Sequence, residues 1–308
     1  MDSHNVVFFL LCLFFVSPLL LGESVVEGRE HEQRHPNSHL YDFKPTKLFV
    51  FGDSYADTGN IRKSLSDSWR FPYGITFPGK PAGRFSDGRV STDFLAKFVG
   101  IKSPIPYLWR KYASGKRLRY GMNFAYGGTG VFNTLVPLPN MTTQIDFLQQ
   151  TIREGVFRRS EFQYSVALVS VAGNDYSAYL ARNGSIDGFQ TFIKQVVDQT
   201  ALNLKRIHTL GVRKIVVPAL QPLGCLPRTT VASSFQRCNE TFNLLVNVHN
   251  TMLQQAVAKL NNETKGSTFI VLDLYNAFLT VFKNRGEHPG STTFENPLKP
   301  CCVGVSSG

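Results

Sequence analysis

A serine follows directly after an apolar run in the stretch LFVFGDSYADTGN, residues 48–60. A serine hydroxyl at the end of a strand can act as a nucleophile if a base activates it and N–H groups hold the developing oxyanion. It can equally cap the following turn or helix, which is what most serines after strands do. Ser54 is therefore either a nucleophile or a turn residue, and the groups in other segments of the sequence indicate which.

Two further segments carry groups that suit an oxyanion hole. NFAYGGTG, residues 123–130, offers the backbone N–H of Gly127, with Gly128 as a close competitor, and VSVAGND, residues 169–175, offers the side-chain amide of Asn174. Glycine lets a backbone N–H approach a ligand closely. Together with the N–H of Ser54 itself, these donors predict a site that stabilises a tetrahedral oxyanion.

Alternating strands and helices are expected to hold these segments. Four continuous apolar runs predict buried parallel strands: 48–51, 166–173, 214–220 and 269–274. Helical periodicity predicts helices from Asp187 to Leu210 and from about Ser234 to Asn261, whereas residues 62–143 are expected to be mostly loop. The pattern predicts a doubly wound α/β domain, in which the loops after parallel strands open onto one edge of the sheet.

Six motifs in a fixed order make a family resemblance specific: FGDSYADTGN, PAGRFSDGR, NFAYGGTG, VSVAGND, PLGCLP and PLKPCCVG. Over Lys47 to Val305 the chain resembles the plant GDSL esterase/lipase family of the SGNH hydrolases. The resemblance implies a single domain over residues 45–308 with a flavodoxin-like, three-layer α/β fold and a central parallel sheet. It also implies cleavage of carboxylic esters without a cofactor or metal, with Ser54 as nucleophile and Gly127 and Asn174 as oxyanion donors.

The general base of that family is missing from its usual place. The family's histidine lies in an Asp-x-x-His-Pro segment that follows the CCVG motif, and no such segment occurs in the 308 residues. His288 in NRGEHPG precedes that motif and has Arg285, not an acid, three residues before it. His208 and His249 are expected on helices away from the site, and His31, His35 and His39 in the lead-in. We therefore expect a truncated chain that lacks the usual C-terminal elements and has impaired activity.

The N-terminus predicts secretion. An apolar core from Val6 to Leu21, followed by small residues, is typical of a signal peptide over residues 1–24, with a flexible lead-in over 25–44. In an extracellular compartment Cys225 and Cys238 are expected to form a disulfide, while Cys301 and Cys302 lack enough partners. Four sequons predict glycosylation of Asn140, Asn183, Asn239 and Asn262.

The composition limits the other functions. A net charge of +11, densest from Trp109 to Tyr120, predicts a solvated basic loop with non-specific contact to acidic polysaccharides, and no motif predicts nucleic-acid binding. The chain lacks GxxxxGK[ST] and HExxH patterns, which argues against nucleotide-binding and metal-dependent alternatives. A monomeric, unanchored ester hydrolase is the favoured interpretation. The alternative is a secreted protein that binds acyl or glycan ligands without catalysis.

Overall fold

A single parallel sheet organises the protein in the computed structural model, which describes residues 43–171, 173–284 and 294–300. Apart from residue 43, these belong to the compact unit Lys44–Gly308. The strands are β1 Lys47–Gly52, β2 Ile105–Pro106, β3 Gly121–Asn123, β4 Ser165–Ser170, β5 Lys214–Pro218 and β6 Phe269–Leu272. Their order across the sheet is β2-β3-β1-β4-β5-β6, and every pairing is parallel.

Helices follow the strands, as expected for a doubly wound domain. They are α1 Ser91–Phe98, α2 Gly115–Leu118, α3 Met141–Arg153, α4 Asn174–Ala181, α5 Ile186–Thr209, α6 Pro227–Thr230, α7 Glu240–Thr264 and α8 Leu274–Asn284. The predicted α/β class with a central parallel sheet is confirmed. Within the described residues, no helix combines the length and the apolar character that crossing a membrane requires.

The core explains why the apolar runs became strands. All six residues of β1 and all six of β4 are buried, because neighbouring strands flank both and side chains on both faces of the sheet are covered. On one face Phe49 stacks on Phe162, and Phe51 stacks on Phe124, with ring centroids 4.9 and 5.4 Å apart. Burial of such side chains contributes about 2 kcal/mol each.

One prediction about secondary structure needs correction, and another needs detail. The helix expected from about Ser234 begins at Glu240, because Ser234 and Phe235 have left-handed backbone conformations and the side chain of Asn239 caps the helix. Residues 62–143 are largely loop, but they also contain α1, the start of α3 and the short strands β2 and β3. Strands of two and three residues leave almost no periodic signal, since pairing with neighbours defines them.

The predicted disulfide between Cys225 and Cys238 is present. It joins the end of the loop after β5 to the turn that precedes α7, and the sulfur of Cys225 also accepts a hydrogen bond from Asn243. The signal peptide, nearly all of the lead-in, Cys301 and Cys302 lie outside the described residues.

Candidate active site

The turn after β1 places Ser54 at the carboxyl edge of the sheet. Gly52 ends the strand with a φ of +145°, and a side chain there would collide with the carbonyl of Ser170 on β4. The chain then turns sharply, because the N–H groups of Ala56 and Asp57 both donate to the carbonyl of Asp53. Ser54 stands half-buried in this turn, and its hydroxyl makes no hydrogen bond to any group in the described part of the chain.

A buried glutamine fixes the end of β1. Gln144 on α3 accepts the N–H of Gly52 at 2.8 Å through Oε1 and donates from Nε2 to the carbonyl of Gly52 at 2.9 Å. The same amide nitrogen also contacts Thr129 Oγ1 at 3.2 Å. A polar residue between Met141, Ile145 and Leu148 on the buried face of an amphipathic helix was the only sequence signal for this role, and sequence reasoning missed it.

Asp57 connects the turn after β1 to the loop after β3. It is fully buried, and its carboxylate accepts N–H groups from Gly59 and Asn60 at 2.8 Å and from Gly127 at 3.0 Å. Burial raises the pKa of Asp57 to about 6, against the opposing effects of these hydrogen bonds and of Arg84. The N–H of Gly127, predicted as an oxyanion donor, therefore already serves a structural bond.

The adjacent Gly128 is differently placed. It has a left-handed φ of +79°, is half-buried, and its N–H donates to no group within the described ranges. A glycine is needed because the left-handed region disfavours residues with a side chain. Of the two competing glycines, Gly128 is thus the one whose N–H is available to a ligand.

The amide of Asn174 joins the third loop to the first two. Asn174 is the first residue of α4 and follows Gly173, whose φ is +78°. Its Nδ2 donates to the carbonyl of Thr129 at 2.9 Å and to Asp53 Oδ2 at 3.3 Å. The loops after β1, β3 and β4 therefore meet as the sequence predicted, with Asn174 bonded to the residue before Ser54 and the residue after Gly128.

Asp175 forms a second buried connection behind Asn174. Its two carboxylate oxygens accept the N–H groups of Val131 and Phe132, each at 2.9 Å. Burial raises the pKa of Asp175, while these two hydrogen bonds act in the opposite direction. The carboxylate thereby holds the segment after Gly128 against α4, which fixes the spacing between Gly128 and Asn174.

Tyr55 and Gln221 line the side of the site next to Ser54. The Tyr55 side chain lies beside Gln221, which follows β5, and 36% of Tyr55 is exposed. Burial of the phenol and the charge of Asp53 raise the pKa of Tyr55 to about 12. The Nε2 atom of Gln221 is buried without a hydrogen-bond partner among the described residues.

No histidine in the described part of the chain is bonded to Ser54. His249 on α7 is buried, and its Nδ1 lies 2.6 Å from the hydroxyl of Tyr176. It lies on a helix as expected, but not away from the carboxyl edge of the sheet, since it lines a small cavity there with Gly173 and Leu220. Burial lowers the pKa of His249 to about 4. His208 is half-buried with its ring edge against Phe269. His288, His31, His35 and His39 lie outside the described residues.

The remaining predicted sites are surface features. Asn183, Asn239 and Asn262 are exposed, whereas Asn140 is half-buried, caps α3 and donates to Asn133. Glycosylation stays a prediction at all four. Within the described ranges, no group of three or more His, Cys, Asp or Glu residues is arranged to hold a metal ion.

Comparison with known proteins finds similarity to one family of ester hydrolases. The family model for GDSL-like lipases and acylhydrolases matches residues 48–306. A GDSL esterase/lipase of Arabidopsis thaliana is 70% identical over 307 residues, which cover 99% of this chain and 84% of that protein. Acetylajmalan esterase 2 of Rauvolfia serpentina is 32% identical over 280 residues, covering 83% and 75% of the two chains.

Solved structures resemble the chain more distantly. An acetylxylan esterase of Geobacillus stearothermophilus aligns with 15% identity and a TM-score of 0.34, over 78% of this chain and 81% of that one.

Proposed function

The chain belongs to the family of GDSL-like lipases and acylhydrolases, which hydrolyse esters, and we propose that it cleaves carboxylic esters through Ser54. One observation carries the proposal. The amide of Asn174 contacts both Asp53 and Thr129, so that the residues flanking Ser54 and Gly128 lie around a single amide donor. This arrangement gives Ser54 the surroundings of a nucleophile rather than those of a simple turn residue.

The chemistry would proceed by acyl transfer. Ser54 Oγ attacks the ester carbonyl, its proton passes to a base, and the carbonyl oxygen becomes an oxyanion held by N–H donors. We assign these donors to Gly128 N–H and Asn174 Nδ2, because Asp57 already holds the N–H of Gly127. The oxyanion would replace the longer bond of Asn174, the one of 3.3 Å to Asp53. Departure of the alcohol and hydrolysis of the acyl-enzyme complete the reaction.

The general base is the part of this mechanism that the described residues do not supply. No Asp-x-x-His-Pro segment occurs in the sequence of the chain. His249 is bonded to Tyr176 and not to Ser54, and because burial lowers its pKa to about 4 it is a weak base. We propose that the 308-residue chain hydrolyses esters slowly, since loss of a general base costs about 10²- to 10⁴-fold.

A second function follows from the same observation. A site that keeps the oxyanion donors but lacks a base can still bind acyl or glycan esters without cleaving them. Ser54 is only half-buried, so a bound ester can reach it. We also propose that the protein is secreted and glycosylated, on the strength of its apolar N-terminal segment and four sequons.

Covalent labelling tests the nucleophile directly. The purified chain is incubated with a fluorophosphonate probe and, separately, with p-nitrophenyl acetate, alongside the Ser54→Ala and Ser177→Ala variants. We expect slow labelling and slow hydrolysis that disappear only in Ser54→Ala. Labelling that persists in Ser54→Ala would refute the proposal. Binding of a short-chain ester without any labelling would favour the non-catalytic alternative.

Secretion has its own test. The full chain, carrying a C-terminal tag, is expressed in a eukaryotic host, and the medium is analysed before and after treatment with an N-glycosidase. We expect a tagged product in the medium that loses mass on treatment, and N-terminal sequencing should place cleavage near residue 24. Retention of the uncleaved chain inside the cells would contradict secretion.

A further inference from the structure

One stretch of the chain carries nearly all of its excess charge. Residues 61–120 contain thirteen Lys and Arg but only three Asp, a net charge of +10, while the whole chain has +11. The same stretch holds many of the large apolar side chains that remain exposed, including Leu65 at 70%, Phe71 at 72% and Tyr112 at 82%. Exposed apolar groups among basic residues are typical of a surface that binds a partner.

Three aromatic rings in this stretch form a continuous row. The ring centroids of Trp69 and Trp109 are 6.4 Å apart, and those of Trp109 and Tyr112 are 6.2 Å apart. Both indoles are anchored, since Trp69 Nε1 donates to the carbonyl of Ile61 and Trp109 Nε1 to that of Gly59. The row is thus held in place, with Trp69 half-buried and Trp109 39% exposed.

Cations without acidic partners flank this row. Lys63 Nζ lies 5.2 Å from the centroid of Trp69, and Lys111 is exposed beside Tyr112. Neither lysine takes part in a salt bridge within the described residues. Together with Leu65, these side chains define what we call the aromatic–basic surface: Lys63, Leu65, Trp69, Trp109, Lys111 and Tyr112.

The aromatic–basic surface adjoins the candidate active site. Gly59, whose carbonyl holds Trp109, donates its own N–H to Asp57 in the turn that begins at Ser54. Phe85, from the same basic stretch, packs directly over Gly127. A partner bound at this surface would lie close to the mouth of the site.

The chemistry of the surface favours a lipid bilayer with anionic headgroups. Trp and Tyr settle at membrane–water interfaces, exposed aliphatic groups gain by entering the acyl region, and Lys is attracted to anionic headgroups. An acidic polysaccharide would engage the rings and the cations but would leave Leu65 in water. We propose that the aromatic–basic surface docks the protein on anionic membranes, and this binding does not depend on the chemistry of Ser54.

Vesicle co-sedimentation tests the proposal in the Ser54→Ala background, so that failure of docking and failure of catalysis are distinguishable. The full chain is mixed with vesicles of phosphatidylcholine alone and with vesicles containing about one quarter phosphatidylserine. We expect binding mainly to the second kind, and weaker binding at high salt. The double variant Lys63→Gln/Lys111→Gln should bind about 25-fold more weakly, since each cation near such a membrane contributes about fivefold.

Matched variants separate this surface from general charge and hydrophobicity. Arg213→Gln/Lys259→Gln removes the same charge from exposed positions elsewhere and should bind like the parent protein. Leu65→Ser/Tyr112→Ser should lose about tenfold in binding, whereas Leu202→Ser/Leu244→Ser, also exposed, should not. Equal losses in the control variants, or equal binding to both kinds of vesicle, would overturn the proposal. Binding to polygalacturonate but not to vesicles would overturn it in favour of an acidic polysaccharide.

Discussion

Two buried ionisable side chains near the carboxyl edge of the sheet, Asp57 and His249, differ in the kind of group that they bond to. Asp57, in front, accepts backbone N–H groups from three residues and so connects two loops. His249, behind α4, is bonded to the side chain of Tyr176 and packs beside apolar residues such as Leu253. Burial favours the neutral form of both, which raises the pKa of Asp57 and lowers that of His249.

The difference concerns what each residue organises. The contacts of Asp57 are with the backbone, so its removal would free the loops that surround Ser54. The bond of His249 is with another side chain, so its removal would leave the loops tied by other groups, including Gln144 and Asp175. We infer that the region around Asp57, the front of this edge, determines the geometry of the site. The region around His249, the rear, contributes mainly packing.

The largest expected effect is on catalysis at the front. Asn174→Ala should lower kcat for p-nitrophenyl acetate about 10²- to 10³-fold and leave KM nearly unchanged, because an oxyanion donor acts only in the transition state. The comparison is with Asn183→Ala, an exposed residue on the loop after α4. A value of kcat in Asn174→Ala within twofold of the parent protein would remove this residue from the oxyanion site.

A smaller effect is expected on stability. Asp57→Ala should lower the free energy of unfolding by about 3 kcal/mol, because it leaves three buried N–H groups without acceptors. His249→Phe should cost about 1 kcal/mol, since it deprives only the Tyr176 hydroxyl of its partner. Urea unfolding measures both, with the exposed Asp67→Ala as control. Equal losses of unfolding free energy in the two variants would show that Asp57 and His249 do not differ in what they stabilise.

The smallest expected effect is on the pH dependence of stability, in which Asp57 and His249 should differ. The raised pKa of Asp57 contributes stability that is complete below its ordinary value of 3.8 and is lost as pH rises through about 6. The lowered pKa of His249 contributes stability that is complete above its ordinary value of 6.5 and is lost as pH falls through about 4. Between pH 4 and 6 the two contributions therefore oppose each other.

Replacing either residue should reveal the pH dependence of stability that the other one contributes. Relative to the parent protein, Asp57→Asn should become more stable as pH rises from 4 to 6, and His249→Gln should become less stable over the same range. Each slope is at most about 1.4 kcal/mol per pH unit. Urea midpoints at several pH values measure this, and the difference from the parent cancels the titration of all other groups. Slopes of the same sign in both variants would show that burial does not govern the two pKa values as described.

Much of the architecture could be predicted because its signals are local. The continuous apolar runs identified β1, β4, β5 and β6, and the periodicity after Asp187 gave α5 nearly to the residue, with observed bounds Ile186–Thr209. The position of Ser54 just after a buried strand and the disulfide between Cys225 and Cys238 were also predictable. Each of these features follows from residue types that lie close together in the chain.

The details that decide the chemistry required the tertiary structure. Gln144 holds Gly52 from 92 positions away, and Asp57 takes the N–H of Gly127 from 70 positions away, which leaves Gly128 as the available donor. Strands β2 and β3 exist only because a neighbouring strand accepts their backbone. The sequence alone determined which residue types could react and where strands end. Only folding decided which N–H groups remain free, because buried backbone groups bond to whichever acceptor the fold brings within reach.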